Sequence, residues 1–153
     1  MMQLVIKFLA TLGFSGYTPK IPGTVGSFLA AVLLYFWQLK FALMPFATLL
    51  ALVIIFILGV WLSTKMEEMT GKHDPQEVVI DEMMGLWIAL LFIPFNIVAW
   101  GIGFILFRVF DIWKPWLIGK AQDLEGGYGI MMDDILAGVV TNIILTLIIG
   151  WII

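Results

Sequence analysis

Asp81, Glu82, Asp111, Asp133 and Asp134 are five carboxyl groups placed at or near the ends of long uncharged runs, in a chain where charge is scarce. Oxygen donors of this kind suit a hard divalent cation such as Mg²⁺ or Mn²⁺, which prefers carboxylate and water to the softer donors that hold zinc. The chain has no Cys and one His, His73, so thiolate metal sites and cysteine nucleophiles are excluded. His73 reads as a solvated loop residue. Arg108, the only Arg, stands three residues before Asp111, and Lys114 three after, so all three share a helical face. Arg108 either neutralises Asp111 as an i,i+3 pair or offers its planar fork to a phosphate with Lys114 as a point charge beside it; the two roles are compatible. Thr24 and Ser27, in Pro22-Gly23-Thr24-Val25-Gly26-Ser27, form a second candidate phosphate site. Two Gly there permit close backbone approach, and the helix start behind them offers free N–H groups. The same residues also read as a tight turn into a capped helix, and they match no Walker pattern.

Acids near a helix N-terminus often do no more than complement its dipole. That explanation serves Asp74 and Glu77. It serves Asp81, Glu82 and Asp111 poorly, because they lie deeper in apolar sequence, where uncompensated charge is costly.

The elements that must position these groups follow from composition. The chain is 62% hydrophobic and 12% charged, against about 25% charged in an ordinary soluble domain. All eleven acids fall between Glu67 and Asp134, whereas Val25–Leu39, Phe41–Thr64, Met83–Phe107 and Ile135–Ile153 carry no charge. A net charge of -3 and the lack of a basic run interleaved with aromatics exclude nucleic acid as a partner. The expected fold is an all-α integral membrane bundle, one domain over 1–153, with about five transmembrane or membrane-embedded helices and a short N-terminal interfacial helix. That first helix carries Leu4, Val5, Phe8, Leu9 and Leu12 on one face and lacks a small-residue cleavage site, so it is expected to be retained.

Val25–Leu39, at 15 residues, is short of the roughly 17–25 usual for a crossing. It is expected to pair as a hairpin with Pro45–Ser63, turning at Lys40. Asp74-Pro75-Gln76-Glu77 predicts a helix start, with an acid N-cap, Pro at the first position and a capping-box Glu, and the helix runs on to Ile93. Pro94-Phe95-Asn96 breaks it, and a helix from Ile97 to Trp113 returns antiparallel. Gly126 to Gly129 then punctuates, as a flexible turn or a substrate-admitting loop, before a last helix with Asp133 and Asp134 at its start. If each apolar helix crosses once, loops 14–24, 65–80 and 114–130 emerge together, with Lys40, Pro94 to Asn96 and Ile153 opposite. Only Lys40 among the cations is then on the far side, so the positive-inside bias makes the acid-bearing side cytoplasmic.

Four ordered blocks now carry a resemblance. Thr18-Pro19-Lys20-Ile21-Pro22-Gly23-Thr24-Val25-Gly26-Ser27 is followed by Asp74-Pro75-Gln76-Glu77-Val78-Val79-Ile80-Asp81-Glu82 with Gly85. Phe107-Arg108-Val109-Phe110-Asp111-Ile112-Trp113-Lys114-Pro115 comes next, and then Gly126-Gly127-Tyr128-Gly129-Ile130-Met131-Met132-Asp133-Asp134 with Ala137-Gly138. Together they resemble the phosphatidylglycerophosphatase A family, departing at Ile21, where a small residue is usual, and at the variable position of His73. The resemblance implies a Mg²⁺-dependent lipid phosphatase of phospholipid biosynthesis in a bacterial inner membrane. Its substrate would be phosphatidylglycerophosphate among the membrane lipids, and its product phosphatidylglycerol. The resemblance leaves the roles of the individual acids to chemistry: Asp81, Glu82, Asp111, Asp133 and Asp134 as metal ligands and catalytic groups, Thr24, Ser27, Arg108 and Lys114 as substrate contacts. The alternative is a small ion-coupled transporter, whose acids would line a path near the bilayer midplane. A CDP-alcohol phosphotransferase would need a longer run of regularly spaced Asp. One His and one Arg disfavour a histidine-dependent phosphatase, and a non-catalytic subunit would need no acid cluster.

Overall fold

A computed structural model describes residues 1–41 and 44–152, and they are helical throughout with no strand among them. The helices are α1 (Met2–Ala10), α2 (Pro22–Phe41), α3 (Pro45–Thr70), α4 (Ile80–Ala89), α5 (Ile97–Trp113), α6 (Leu117–Gln122) and α7 (Gly127–Ile152), with a 3-10 turn at Ser15–Tyr17 between α1 and α2. The expected turn between α2 and α3 and the emergence of Ile153 fall partly or wholly on residues outside the described ones. α2, α3 and α7 are each long and apolar enough to cross a membrane. α2 begins at Pro22 and runs 20 residues, which removes the shortfall expected of Val25–Leu39.

α3 runs on to Thr70 past the expected Ser63, and α4 ends at Ala89 short of Ile93; three further differences from expectation each have a tertiary reason. Asp74-Pro75-Gln76-Glu77 is not a helix start: Asp74 has φ of 49°, Val78 N–H closes a turn on the Pro75 carbonyl, and Val79 N–H donates to the carbonyl of Ala10 at the end of α1. The loop is thereby tied to α1, and α4 starts only at Ile80. Its backbone also runs against the 3-10 turn, where a Cβ on Gly16 would sit 1.9 Å from the Glu77 carbonyl oxygen. The second difference is α6, a short helix inside the expected 114–130 loop, held by buried Ile118 and Ala121. The third is α7, which begins at Gly127, so Asp133 and Asp134 lie nearly two turns inside it rather than at its start. Gly126, at φ of 61°, makes the turn instead.

α4 has only 10 residues, about 15 Å of helix, and it is the most enclosed element of the fold. Ile80, Met84, Leu86, Trp87 and Ala89 are buried among α2, α5 and α7. Its C-terminal carbonyls would be orphans in apolar surroundings. Neutral polar side chains meet them: Asn142 Nδ2 donates to the carbonyls of Ala89 at 3.1 Å and Leu91 at 3.0 Å. Gln38 Nε2 donates to the carbonyl of Ile93 at 3.1 Å. After Pro94, Asn96 caps α5 by accepting from Val98 N–H and Ala99 N–H, so α5 starts where the sequence places it. On α1, Leu4, Val5, Phe8 and Leu9 are exposed while Ile6 and Ala10 pack inward. The apolar face read from the sequence is thus the outward one.

Candidate active site

The five acids converge because two helices cross with almost nothing between them. A Cβ on Gly138 of α7 would lie 2.3 Å from the Gly85 carbonyl oxygen of α4, and a Cβ on Gly85 would lie 2.6 Å from the Asp134 carbonyl oxygen. Small residues let helix backbones approach this closely. Asp81 precedes Gly85 by four residues and Asp134 precedes Gly138 by four, so each stands one turn beyond the crossing on the facing side. Glu82 completes the group: one carboxylate oxygen from each of Asp81, Glu82 and Asp134 lies within 4.8 Å of the others. Asp111 reaches them from the last turn of α5. All five acids, Asp133 included, are buried.

The five divide by partner. Asp111 is bound by Arg108, whose guanidinium also lies 3.7 Å from Glu82. Asp133 is bound by Lys114. Asp81 Oδ1, Glu82 Oε2 and Asp134 Oδ2 are buried with no hydrogen-bond partner, an arrangement that is costly unless a cation meets them. For Lys114 burial opposes the charge, but Asp133 outweighs it and holds the ammonium above its usual range. Hard oxygen donors this close together, each with a free lone pair, fit a divalent cation such as Mg²⁺.

These groups line a cavity of about 350 Å³ bounded by Lys20, Pro22, Gly23, Thr24, Arg108 and Lys114 besides the acids Asp81, Glu82, Asp111 and Asp134. Gly23 leaves room for the present positions of two site side chains, since a Cβ would meet Glu82 Oε1 at 2.3 Å and the Arg108 guanidinium at 2.9 Å. Two expected contacts change. Ser27 is fully buried; its hydroxyl donates to the Gly23 carbonyl at 2.8 Å and accepts from Arg108 at 3.4 Å, so it braces Arg108 from beneath rather than facing the cavity. Asp133 is held by Lys114 and does not join the three-carboxyl group. Thr24, Arg108 and Lys114 do line the cavity.

Lys20, Asp74 and Gln76 also line the cavity and were not singled out from sequence. All three lie within the quoted blocks, which was the available signal. Asp74 is fixed by Gln122 Nε2 from α6. The whole assembly therefore offers a concentrated anionic pocket for a cation with Arg108, Lys20 and Lys114 around it for an anion. That combination suits a phosphate bound through a metal.

Known proteins resemble this chain over most of its length. A Bacteroides thetaiotaomicron protein, provisionally named a phosphatidylinositol-3-phosphatase, is 43% identical over 92% of this chain and 91% of its own length. An Escherichia coli (strain K12) protein named phosphatidylglycerophosphatase A is 42% identical over 87% of this chain and 77% of its own. A Haemophilus influenzae protein of the same name is 37% identical over 94% and 88%. No solved structure matches. With the family model described as phosphatidylglycerophosphatase A matching residues 8–149, the chain belongs to the phosphatidylglycerophosphatase A family.

Proposed function

We propose that this protein hydrolyses the terminal phosphate of phosphatidylglycerophosphate, giving phosphatidylglycerol and inorganic phosphate in phospholipid biosynthesis, with Mg²⁺ as cofactor. One observation carries the proposal in a chain of this family: the three partnerless carboxylate oxygens of Asp81, Glu82 and Asp134, set opposite Arg108 in one cavity. Asp81, Glu82 and Asp134 would hold the cation, with Asp111 beside them. Bound there, it supplies Lewis acidity to the phosphate and to water.

The chain's own groups do the rest. Arg108 forks onto the non-bridging oxygens, braced by Asp111 and Ser27 so that its donors are aimed before charge develops. Lys114, fixed by Asp133, and Lys20 add positive charge at the mouth. Thr24 and the Gly23 backbone admit the phosphate close to α2's N-terminal N–H groups. Either a water attacks phosphorus while one of the acids takes its proton, the bond to the lipid's glycerol oxygen breaks and that oxygen leaves protonated, or one of the acids attacks and expels the same oxygen to give an acyl-phosphate that water then cleaves. Rapid acid quenching separates the routes by trapping an aspartyl- or glutamyl-phosphate. The site lies at the cytoplasmic headgroup level of a bacterial inner membrane in a five-crossing topology, so the lipid tails stay in the bilayer during turnover. An ion-coupled transporter gains no support, because the acids gather at one end of the helices instead of along a path.

The test is phosphate release by the purified protein in detergent with Mg²⁺ or chelator, repeated for Asp81→Asn, Asp111→Asn and Asp134→Asn. The expected result is Mg²⁺ dependence and a loss of at least about 10²-fold in each variant. Full activity in all three variants and in chelator would sink the metal mechanism. Phosphatidylinositol 3-phosphate is the comparison substrate; cleavage of it alone would move the substrate assignment while leaving the chemistry in place.

A further inference from the structure

Below the cavity that holds the carboxyls, a second, apolar cleft lies between α2 and α5. On α5 the cavity is lined by Arg108, and the next residues on that face, at i−4 and i−7, are Phe104 and Gly101. On α2 it is lined by Thr24, and the stripe continues through Phe28, Val32 and Tyr35. These lower residues line a separate hollow of about 280 Å³ with almost no polar surface. α2 and α5 are tied at the top by Arg108 and Ser27, 3.4 Å apart. At the bottom they are tied through Tyr35 against Phe95, ring centroids 4.7 Å apart, with Phe95 against Trp100 at 5.0 Å. Between the ties the helices stand apart, and a Cβ on Gly101 would meet nothing within 4 Å.

We propose that this α2–α5 cleft seats one acyl chain of the phosphomonoester lipid whose headgroup enters the carboxylate cavity. The proposal rests on the lipid phosphatase function given above and adds where the lipid lies. Length and lining commit the cleft to a lipid chain: from Arg108 to Ile97 α5 descends about 16 Å, and the walls along it, Phe104, Val32 and Tyr35 among them, offer an extended hydrocarbon chain apolar contact. A chain entering with its phosphate at Arg108 therefore ends on the Tyr35–Phe95–Trp100 floor. Exposed Ile21 and Ile112 flank the junction where the glycerol backbone would pass from cleft to cavity. The larger hollow between α2 and α3 is not a rival of equal standing. It is lined by Leu33, Trp37, Ile54 and Trp87 among others, and its α2 residues lie on a different face of that helix from the stripe that descends from Thr24 through Phe28 and Val32.

Gly101 gives a probe, since a Cβ there meets nothing within 4 Å and a larger side chain grows from open space into the cleft. Phosphate release is compared between long-chain phosphatidylglycerophosphate in mixed micelles and its deacylated, water-soluble headgroup. In Gly101→Phe the ratio of long-chain to deacylated kcat/KM drops at least about tenfold, the order expected when contact with a couple of buried methylenes is lost. Gly101→Leu gives a smaller drop, and Ile143→Phe, at an exposed position on α7, keeps the wild-type ratio. Independently of turnover, the wild-type protein in nanodiscs is photolabelled with phosphatidate bearing a diazirine in one chain. Adducts on Phe28, Gly101 or Phe104 support the cleft. An unchanged ratio in folded Gly101→Phe, or adducts concentrated on Leu33 and Ile54, overturns it. Should the wild-type protein cleave neither substrate, the functional assignment fails and the photolabel alone decides the cleft.

Discussion

Arg108 meets Asp111 and Glu82 and is braced by Ser27, which leaves open whether it serves the fold or the substrate. Arg108→Lys separates the two. A lysine keeps the charge that neutralises Asp111 but loses the planar fork that binds two phosphate oxygens at once. If the fork grips the phosphate in the transition state, kcat falls about 10²-fold while thermal stability changes little. If the role is neutralisation, activity survives within a few-fold; kinetics and a melting curve on the same preparation give the answer. Sequence made the candidate set visible at this scale because a charge inside an apolar run has few structural excuses. It did not show the division between Asp81, Glu82 and Asp134, each with one buried oxygen left without a partner, and Asp111 and Asp133, held by Arg108 and Lys114. That depends on helix rotation, which places Asp134 toward Asp81 and its neighbour Asp133 toward Lys114. Ser27 was misread for a similar reason: a hydroxyl four residues after Gly23 is free to bond back to that carbonyl, and here it does.

Helix boundaries were legible where the signal was local and illegible where a distant contact decided them. Asn96 after Pro94 starts α5 by its own side chain, so that start could be read directly. The Asp74-Pro75 signal is equally local, yet the Val79 N–H is taken by Ala10 and the turn never becomes helix. The α4–α7 crossing belongs to the same class: Gly85 and Gly138 stand in the quoted blocks, but nothing in one chain says they touch. Their contact makes a prediction. Gly138→Ala places a methyl 2.3 Å from a backbone oxygen that has no rotamer to move. The helices must separate, at a cost of about 1–3 kcal/mol, and the three carboxylate oxygens separate with them. The variant is therefore expected to melt earlier and to need far more Mg²⁺ for half-maximal activity. Gly138→Ser should behave the same way, whereas an unaltered Mg²⁺ requirement would show that the crossing does not set the site.

Taken whole, the molecule is polarised along its helices. The cavity, α1, the 3-10 turn, α6 and the loop before α4 gather at one end, and Lys40 lies near the far end of α2. Three helices are long enough to cross alone, so the number of crossings turns on α4 and α5. α4 covers only about 15 Å, which argues for a hairpin that stops within the bilayer. Against that, Ile93 just beyond α4 accepts from Gln38, within one turn of the end of α2. The hairpin tip thus reaches nearly as far as a helix long and apolar enough to span, and we expect Pro94 to face the same compartment as Lys40. The chain has no Cys, so single cysteines can be read without background. In intact spheroplasts an impermeant maleimide should label Lys40→Cys and Pro94→Cys, and should reach Lys72→Cys and Lys120→Cys only after permeabilisation. Labelling of Lys40→Cys without Pro94→Cys would leave three crossings and a re-entrant hairpin. Labelling of Lys120→Cys in intact cells would place the carboxyls on the outer face and overturn the cytoplasmic orientation proposed for the site.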